Sequence, residues 1–202
     1  ILTHEDKDHA GGALSLLDGL PVAWTASSMP EGHPFREAPG HRPCADGQAW
    51  EWDGVRFEML HPQPADYDKP ARKTNDMSCV LKVSAVEGSA LLTGDIETIS
   101  EQALSKRHGE RLRAEVLLAP HHGSRTSSSP EFIAAVAART VIFPVGYRNR
   151  FRHPNAEVLR RYEESGARLL RSDRDGAVTV EFAASPGLTL QREARRRYWH
   201  GQ

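Results

Sequence analysis

The run Thr3-His4-Glu5-Asp6-Lys7-Asp8-His9-Ala10-Gly11-Gly12 constrains this chain more than any other feature. His4, Asp6, Asp8 and His9 set two imidazoles and two carboxylates close enough in sequence to hold metal, and two glycines follow. A regular strand would send His4, Asp6 and Asp8 to one face and His9 to the other. The four converge only if the chain bends at a strand end, which is the geometry a two-metal loop needs. The plainer alternative is a solvated polar turn ahead of a helix, with Asp8 as its cap. That alternative leaves matching groups further along the chain unexplained.

Three later segments place metal-competent groups just after apolar stretches. Leu91-Leu92-Thr93-Gly94-Asp95 ends in a carboxylate, and Leu117-Leu118-Ala119-Pro120-His121-His122-Gly123-Ser124 ends in two imidazoles. Arg152-His153-Pro154 follows a strand and loop over 141–150. Loops at strand ends are where scaffolds carry chemistry. Taken singly, Asp95 could cap a helix and His153 could be a turn residue; four such segments together point to one site. Asn75 and Ser78 read either as polar groups at its mouth or as turn chemistry before a strand.

With 202 residues, 39% hydrophobic and 26% charged, the chain is long enough for one substantial core, and a single domain over 1–202 is expected. A net charge of -1 excludes a global attraction to nucleic acid. Basic residues are nevertheless uneven: Arg148, Arg150 and Arg152 cluster, as do Arg192, Arg195, Arg196 and Arg197. No apolar stretch approaches a membrane helix and no signal peptide opens the chain, while Ile1-Leu2 reads as the end of a strand already under way. Cys44 and Cys79 form no C-x-x-C pattern, which argues against structural zinc, and the residues alone leave open whether they pair.

Hydrophobic spacing predicts helices over 10–17, 96–108, 130–138 and 156–165. Strands are expected over 22–25, 55–60, 79–86, 89–93, 116–119, 140–145, 168–171 and 177–182, with a hairpin turning on Glu87-Gly88. Irregular loops are expected over 27–47 and 61–74. Helices alternating with strands, without repeat or linker, give an α/β body.

The order H-x-D-x-D-H-x-G-G, N-D-x-S-C-V-L, L-L-T-G-D, P-H-H-G-S and H-P resembles the metallo-beta-lactamase fold. More narrowly it is similar to the C-terminal domain of ComEC-type competence proteins, inner-membrane channels for transforming DNA. The likeness extends over the stretches 47–62, 146–151 and 173–176 and the ending Arg197-Tyr198-Trp199-His200. It implies an αββα sandwich whose opening strands are missing here. It further implies a dinuclear centre, with His4, Asp6 and His121 (or His122) on one ion, Asp8, His9 and His153 on the other, and Asp95 bridging. His121 is taken as the ligand and His122 as the group that faces the scissile phosphate or protonates the leaving oxygen. His122, Asp8 and Asp95 then take part in catalysis.

Asp6 stands where many relatives have His, which favours Mn²⁺ or Mg²⁺, although three imidazoles and a bridging Asp still suit Zn²⁺. Two such cations, about 3.5 to 4 Å apart, lower the pKa of water and neutralise charge on a leaving oxygen, which suits phosphodiester hydrolysis. The implied function is a nuclease acting on single-stranded DNA, held by Arg148, Arg150, Arg152 and Asn75. The implied setting is the periplasmic face of the inner membrane, beside the channel domain of a longer protein. The alternatives are a DNA-guiding module with little turnover and a hydrolase of small phosphodiesters. Placement outside the cytoplasm implies that Cys44 and Cys79 are bridged.

Overall fold

The central sheet is built in two halves that differ in how their strands are joined. A computed structural model describes residues 1–69, 73–184 and 187–197. Ala49–Trp52 (β3), Val55–His61 (β4), Val80–Ala85 (β5) and Gly88–Leu92 (β6) form an antiparallel meander. Val116–Leu118 (β7), Thr140–Phe143 (β8) and Arg168–Arg171 (β9) then add in parallel to β6, giving the seven-stranded order β3-β4-β5-β6-β7-β8-β9. Parallel neighbours need a crossover between them. Helices Thr98–His108 (α3), Pro130–Val136 (α4) and Ala156–Glu164 (α5) provide the three crossovers.

One end of β4, β5 and β6 packs on both faces because apolar residues there occupy consecutive positions. Leu60, Val80 and Leu91 point to one side, where they pack with Leu104, Phe132, Phe143, Val158 and Tyr162 under the helices. Met59, Cys79 and Leu81, their immediate neighbours, point to the other side and pack with Ala26, Cys44 and Trp50. This is the period-2 geometry of a strand acting on a run with apolar residues at consecutive positions. Caps fix the helices: Ser129 and Asn155 accept backbone N–H groups at the starts of α4 and α5, and left-handed Ala137 ends α4.

The mixed α/β class and central sheet agree with expectation; the edges differ. The helix expected over 10–17 is broken at Gly11-Gly12 into Lys7–Ala10 (α1) and Ala13–Gly19 (α2), as a glycine pair favours. The strand expected over 22–25 falls at Ala26–Ser27 (β1) and pairs in parallel with Arg42–Pro43 (β2), inside the segment expected to be loop. The hairpin turns on Val86-Glu87, one residue early, since Ala85 pairs with Gly88. Unexpected are β3, the short helices Ser172–Asp175 (α6) and Gln191–Ala194 (α7), and the partner of Val178–Glu181 (β10), Gly187–Leu190 (β11). Cys44 and Cys79 are joined by a disulfide that ties the segment after β2 to the start of β5. Residues 70–72 of the expected 61–74 loop, and Tyr198-Trp199-His200 of the closing motif, lie outside the described residues.

Candidate metal centre

Three parallel strands release the chain at the same edge of the sheet, where α/β proteins place their ligands. After β6 the chain turns through Gly94, whose φ of +54° and close approach to Ser78 and Thr3 admit no side chain: a Cβ there would stand 2.8 Å from Ser78 Cβ. That turn delivers Asp95, whose backbone N–H donates to Ser78 Oγ at 3.0 Å. After β7 the turn Pro120–Gly123 holds both His121 and His122 at left-handed φ, 48° and 54°. Such values are uncommon outside glycine and concentrate at functional sites. His121 N–H donates to the Gly94 carbonyl at 3.1 Å and knots the two turns together. The N-terminal segment joins them through Thr3, whose carbonyl accepts from Cys79 N–H (3.0 Å) and Ser28 Oγ (2.6 Å).

Six side chains then face one another. His9 Nε2 lies 3.2 Å from Asp95 Oδ1 and 3.9 Å from Asp8 Oδ2. His122 Nε2 lies 3.2 Å from Asp8 Oδ2, 3.5 Å from Asp95 Oδ2 and 3.2 Å from His9 Nε2. His4 Nε2 lies 3.6 Å from Asp6 Oδ2 and 3.9 Å from Asp95 Oδ2. Donor atoms of His4, His9 and Asp95, and again of Asp8, His9 and His122, fall within 4.8 Å of one another. Tight His/Asp groups sharing His9 are the donor chemistry of a divalent transition metal.

The hydrogen bonds on the far side of the rings favour the same reading. His122 Nδ1 lies 2.9 Å from the Pro144 carbonyl, which only accepts, so Nδ1 carries the hydrogen and Nε2 of the neutral ring presents a lone pair. His4 Nδ1 and His9 Nδ1 both approach Thr3 Oγ1, at 2.9 and 3.1 Å, and its two lone pairs suffice to accept from both. His4 is 1% exposed, yet its Nε2 makes no hydrogen bond. A buried nitrogen without a partner, and two Nε2 atoms facing at 3.2 Å, are costly unless a proton or cation lies among them. The residues therefore fit divalent metal, with rings oriented from behind as metal-binding imidazoles are.

Electrostatics follow from that packing. Burial alone would raise the Asp95 carboxyl, but the His9 hydrogen bond and the rings of His122, His9 and His121 hold it below its usual range. Burial, then the neighbouring His9, lowers His4. His9 is raised: burial works against its charged form, and Asp95, Asp8 and Asp6 outweigh it.

The other expected residues stand in a second ring. His121 is turned away from Asp8: its Nδ1 lies 3.3 Å from Thr126 Oγ1 and 3.6 Å from Glu97, and its Nε2 lies 3.4 Å from Asn75 Nδ2 and 3.9 Å from Asp95. Of the two adjacent histidines, His122 stands in a tight group and His121 in neither. Consecutive left-handed residues throw their side chains in directions that sequence does not specify. His153 meets His121 edge to face, ring centroids 5.9 Å apart, outside both tight groups. Burial, then His121 and His122, lowers its pKa. Arg148, Arg150 and Arg152 are exposed on the loop before His153 and, among the described residues, form no ion pair.

Sequence reasoning missed Thr3, Glu97 and Thr126, although Glu97 sits just beyond Asp95 in the same turn. Glu97 also accepts from Lys73 at 3.2 Å and Thr126 at 3.2 Å. Beside the centre opens a cleft of 630 Å³ whose walls include Glu5, Arg36, Tyr67, Lys69 and Thr74.

The profile of the metallo-beta-lactamase superfamily matches residues 1–146. Competence protein ComA of Neisseria gonorrhoeae is 37% identical over 200 residues, covering 98% of this chain and 27% of that protein. Uncharacterized protein YcaI of Escherichia coli (strain K12) is 38% identical over 184 residues, 91% of this chain and 23% of that protein. ComE operon protein 3 of Bacillus subtilis is 32% identical over 192 residues, covering 90% and 24%. The chain spans about a quarter of the length of the curated relatives it matches. Among solved structures, a mutant of the CmlA beta-hydroxylase superposes with a TM-score of 0.56 (13% identity, 84% of this chain and 42% of that one). One from Parabacteroides distasonis superposes with 0.52 (12% identity, 85% and 74%). At these identities the likeness shows the fold alone.

Proposed function

Because the chain belongs to the metallo-beta-lactamase superfamily, we propose that its clustered imidazoles and carboxylates hold two divalent cations and hydrolyse DNA phosphodiesters. The observation that carries this reading is the pair of Nε2 atoms of His9 and His122, 3.2 Å apart and flanked by Asp8 and Asp95, with the His122 hydrogen fixed on the opposite side by Pro144. His4, Asp6, Asp8, His9, Asp95 and His122 are the holding groups, and His153 completes them from the loop after β8. His122 takes the ligand role and His121 the role beside it, an exchange of the two expected assignments. Oxygen donors from Asp6 and Asp8 favour Mn²⁺ or Mg²⁺, and the imidazoles also suit Zn²⁺.

Cations held there supply Lewis acidity at a phosphate oxygen and acidify water. The chain's own groups do the rest. Asp95 reaches His9 with one oxygen and His122 with the other, and Ser78 fixes its backbone, so it is the group that cations held by these residues would share. His121, held at Nδ1 by Thr126 and Glu97, keeps Nε2 3.9 Å from Asp95, beside the holding groups, where it can pass a proton to the leaving oxygen. Asn75 Nδ2 lies 3.4 Å from that nitrogen and stands beside it.

The substrate is read from the surroundings. Relatives named for competence support DNA, and exposed arginines beside His153, without an ion pair among the described residues, suit a phosphate backbone. No helix among the described residues is long and apolar enough to cross a membrane. Because the competence-named relatives are about four times longer, the reading sets this chain beside a membrane channel domain of a longer protein, on the periplasmic face, where its disulfide would persist. A second reading, hydrolysis of small phosphodiesters, is favoured by the 630 Å³ cleft, a size that suits a small ligand.

The test is cleavage of end-labelled single-stranded and duplex DNA with Mn²⁺, Mg²⁺ or Zn²⁺ and with chelator, alongside a small diester. Cleavage of single strands with Mn²⁺ and none with chelator is expected. Turnover of the small diester alone would move the assignment to the second reading. Failure to retain any divalent metal would overturn both.

A further inference from the structure

The loop ahead of His153 displays two aromatic rings that the proposed chemistry does not use. Tyr147 is 70% exposed and Phe151 65% exposed. Burying such a ring contributes about 1.5–3 kcal/mol, so neither serves the core where it stands. The loop is not a loose tether. Asn149 Nδ2 donates to the Gly146 carbonyl at 3.3 Å and the His153 carbonyl at 2.8 Å, while its Oδ1 accepts from His153 N–H at 2.8 Å. Arg148 and Arg152 are held at left-handed φ of 53° and 56°. Non-glycine residues adopt that region at a cost and persist there only where their surroundings impose it.

Each ring carries a cation. The Arg148 guanidinium lies 5.2 Å from the Tyr147 centroid, and that of Arg150 lies 4.8 Å from the Phe151 centroid. Phe151 lies nearly parallel to His153 (16°, centroids 5.8 Å apart), and His153 meets His121 at 5.9 Å. A file of planar groups therefore runs from the exposed loop into the proposed centre. Between Gly146 and His153 there is no acidic residue.

We propose that Tyr147 and Phe151 form a stacking platform for unpaired nucleobases, with Arg148 and Arg150 on the adjoining phosphates, so that the loop guides single-stranded DNA to the centre. The proposal rests on the phosphodiesterase reading and adds the residues that would set its preference for single strands. A duplex hides its base faces in its own stack; a single strand offers them to any exposed ring, whatever the sequence. Aromatic residues interleaved with arginine also suit a lipid headgroup layer. The continuity of the planes through His153 into the site favours the nucleic acid, since a loop laid on lipid would turn that mouth into the membrane.

The experiment measures binding of the metal-loaded chain to a phosphorothioate-linked thymidylate decamer, which resists cleavage, to an abasic strand of equal length and linkage, and to a duplex. Tyr147→Leu and Phe151→Leu should each weaken thymidylate binding about fivefold or more. Both should leave abasic and duplex binding unchanged, and Tyr147→Phe and Phe151→Tyr should restore wild-type affinity. Equal losses on abasic and base-bearing strands, or wild-type affinity in the leucine variants, would overturn the platform while leaving the nuclease reading intact. Loss of pelleting with anionic vesicles, with thymidylate binding untouched, would overturn it in favour of a membrane loop. A wild-type chain that binds none of the DNAs and turns over only the small diester would remove the platform together with the reading beneath it.

Discussion

Asp95 and Glu101 are both carboxylates on the segment that follows β6, and both are buried, at 4% and 0% exposure. Their surroundings are opposite. Glu101 accepts the backbone N–H groups of Ser128 and of Ser129 (2.8 Å), the residues that open α4. Every neighbour of Glu101 donates, so it is a finished structural joint. Asp95 faces the imidazole nitrogens of His9 and His122, and the His122 ring needs its hydrogen on the other side, for the Pro144 carbonyl. Burial raises both carboxyls; imidazoles reverse the effect at Asp95, whereas at Glu101 the donors of Ser129 and Ser128 and the charge of Arg161 do not. A buried acid whose partners are fixed backbone N–H groups holds a fold together, whereas one whose partners are imidazoles, each able to give up its proton and offer a lone pair, can share a cation with them.

Removing each acid should therefore break different things. The largest effect is expected at the centre: Asp95→Ala should lower metal content and leave no cleavage above the chelated control, as elemental analysis and the DNA assay would show. Two metals retained with full activity would end the bridging assignment. The adjacent imidazoles sharpen the point. His122→Ala should lose bound metal, whereas His121→Ala should keep its metal and lose about 10²–10⁴-fold in cleavage rate, the range for a proton donor. If metal content falls only in the His121 variant, the two roles stand as first expected from the sequence.

Glu101→Ala should act on stability instead. It leaves two buried N–H groups without acceptors, at about 1–3 kcal/mol each. Midpoints of a chain this size move about 2–4 °C per kcal/mol, so a loss of about 2–6 kcal/mol should lower thermal unfolding by roughly 4–24 °C. The metal content of the folded protein should stay unchanged. The sign of the pH dependence also follows: because the fold raises this carboxyl above its ordinary 4.5, its contribution is fully present below that pH and is lost as pH rises through the raised value. Wild type minus Glu101→Gln, followed by denaturant titration from about pH 4 upward, should show that decline. A flat difference would mean that the fold does not perturb this acid.

The contrast also marks what sequence can carry. Asp95 was legible because Thr93-Gly94-Asp95 closes an apolar run and matches three other such endings. Glu101 lies inside a helical pattern, and its partners, Ser128 and Ser129, belong to a distant turn, so nothing local announces it. The sheet's central strands could be read from their apolar periodicity, which is intrinsic to each segment. Edge strands β3 and β11 and the two-residue β1 could not, because short pairings depend on what the rest of the chain places beside them. Similarly, His121 and His122 were found as a pair, but which one faces Asp8 depends on left-handed dihedrals and on the Pro144 carbonyl, neither encoded in their spacing.

The smallest effect expected is on the cations, where the same comparison recurs. Arg161 is satisfied: it pairs with Glu157 at 2.6 Å and donates to the Ser127 and Ser128 carbonyls above Glu101. Arg148 and Arg150 pair with no carboxylate among the described residues and sit beside His153, where a phosphate backbone would run. Replacing both by Gln should therefore cost little stability, within about 0.5 kcal/mol as for exposed sites generally, and leave metal content unchanged. A strand whose phosphates meet fewer guanidinium groups releases fewer counterions on binding. Affinity for single strands should thus weaken alike for all sequences, and the log-log salt slope should flatten by about 1 to 2. Affinity measured across a series of salt concentrations is the check. An unchanged slope would place these arginines with Arg160, whose exposed pairing with Glu164 only solvates a helix face, and would move the search for the DNA path to the Arg192–Arg197 segment.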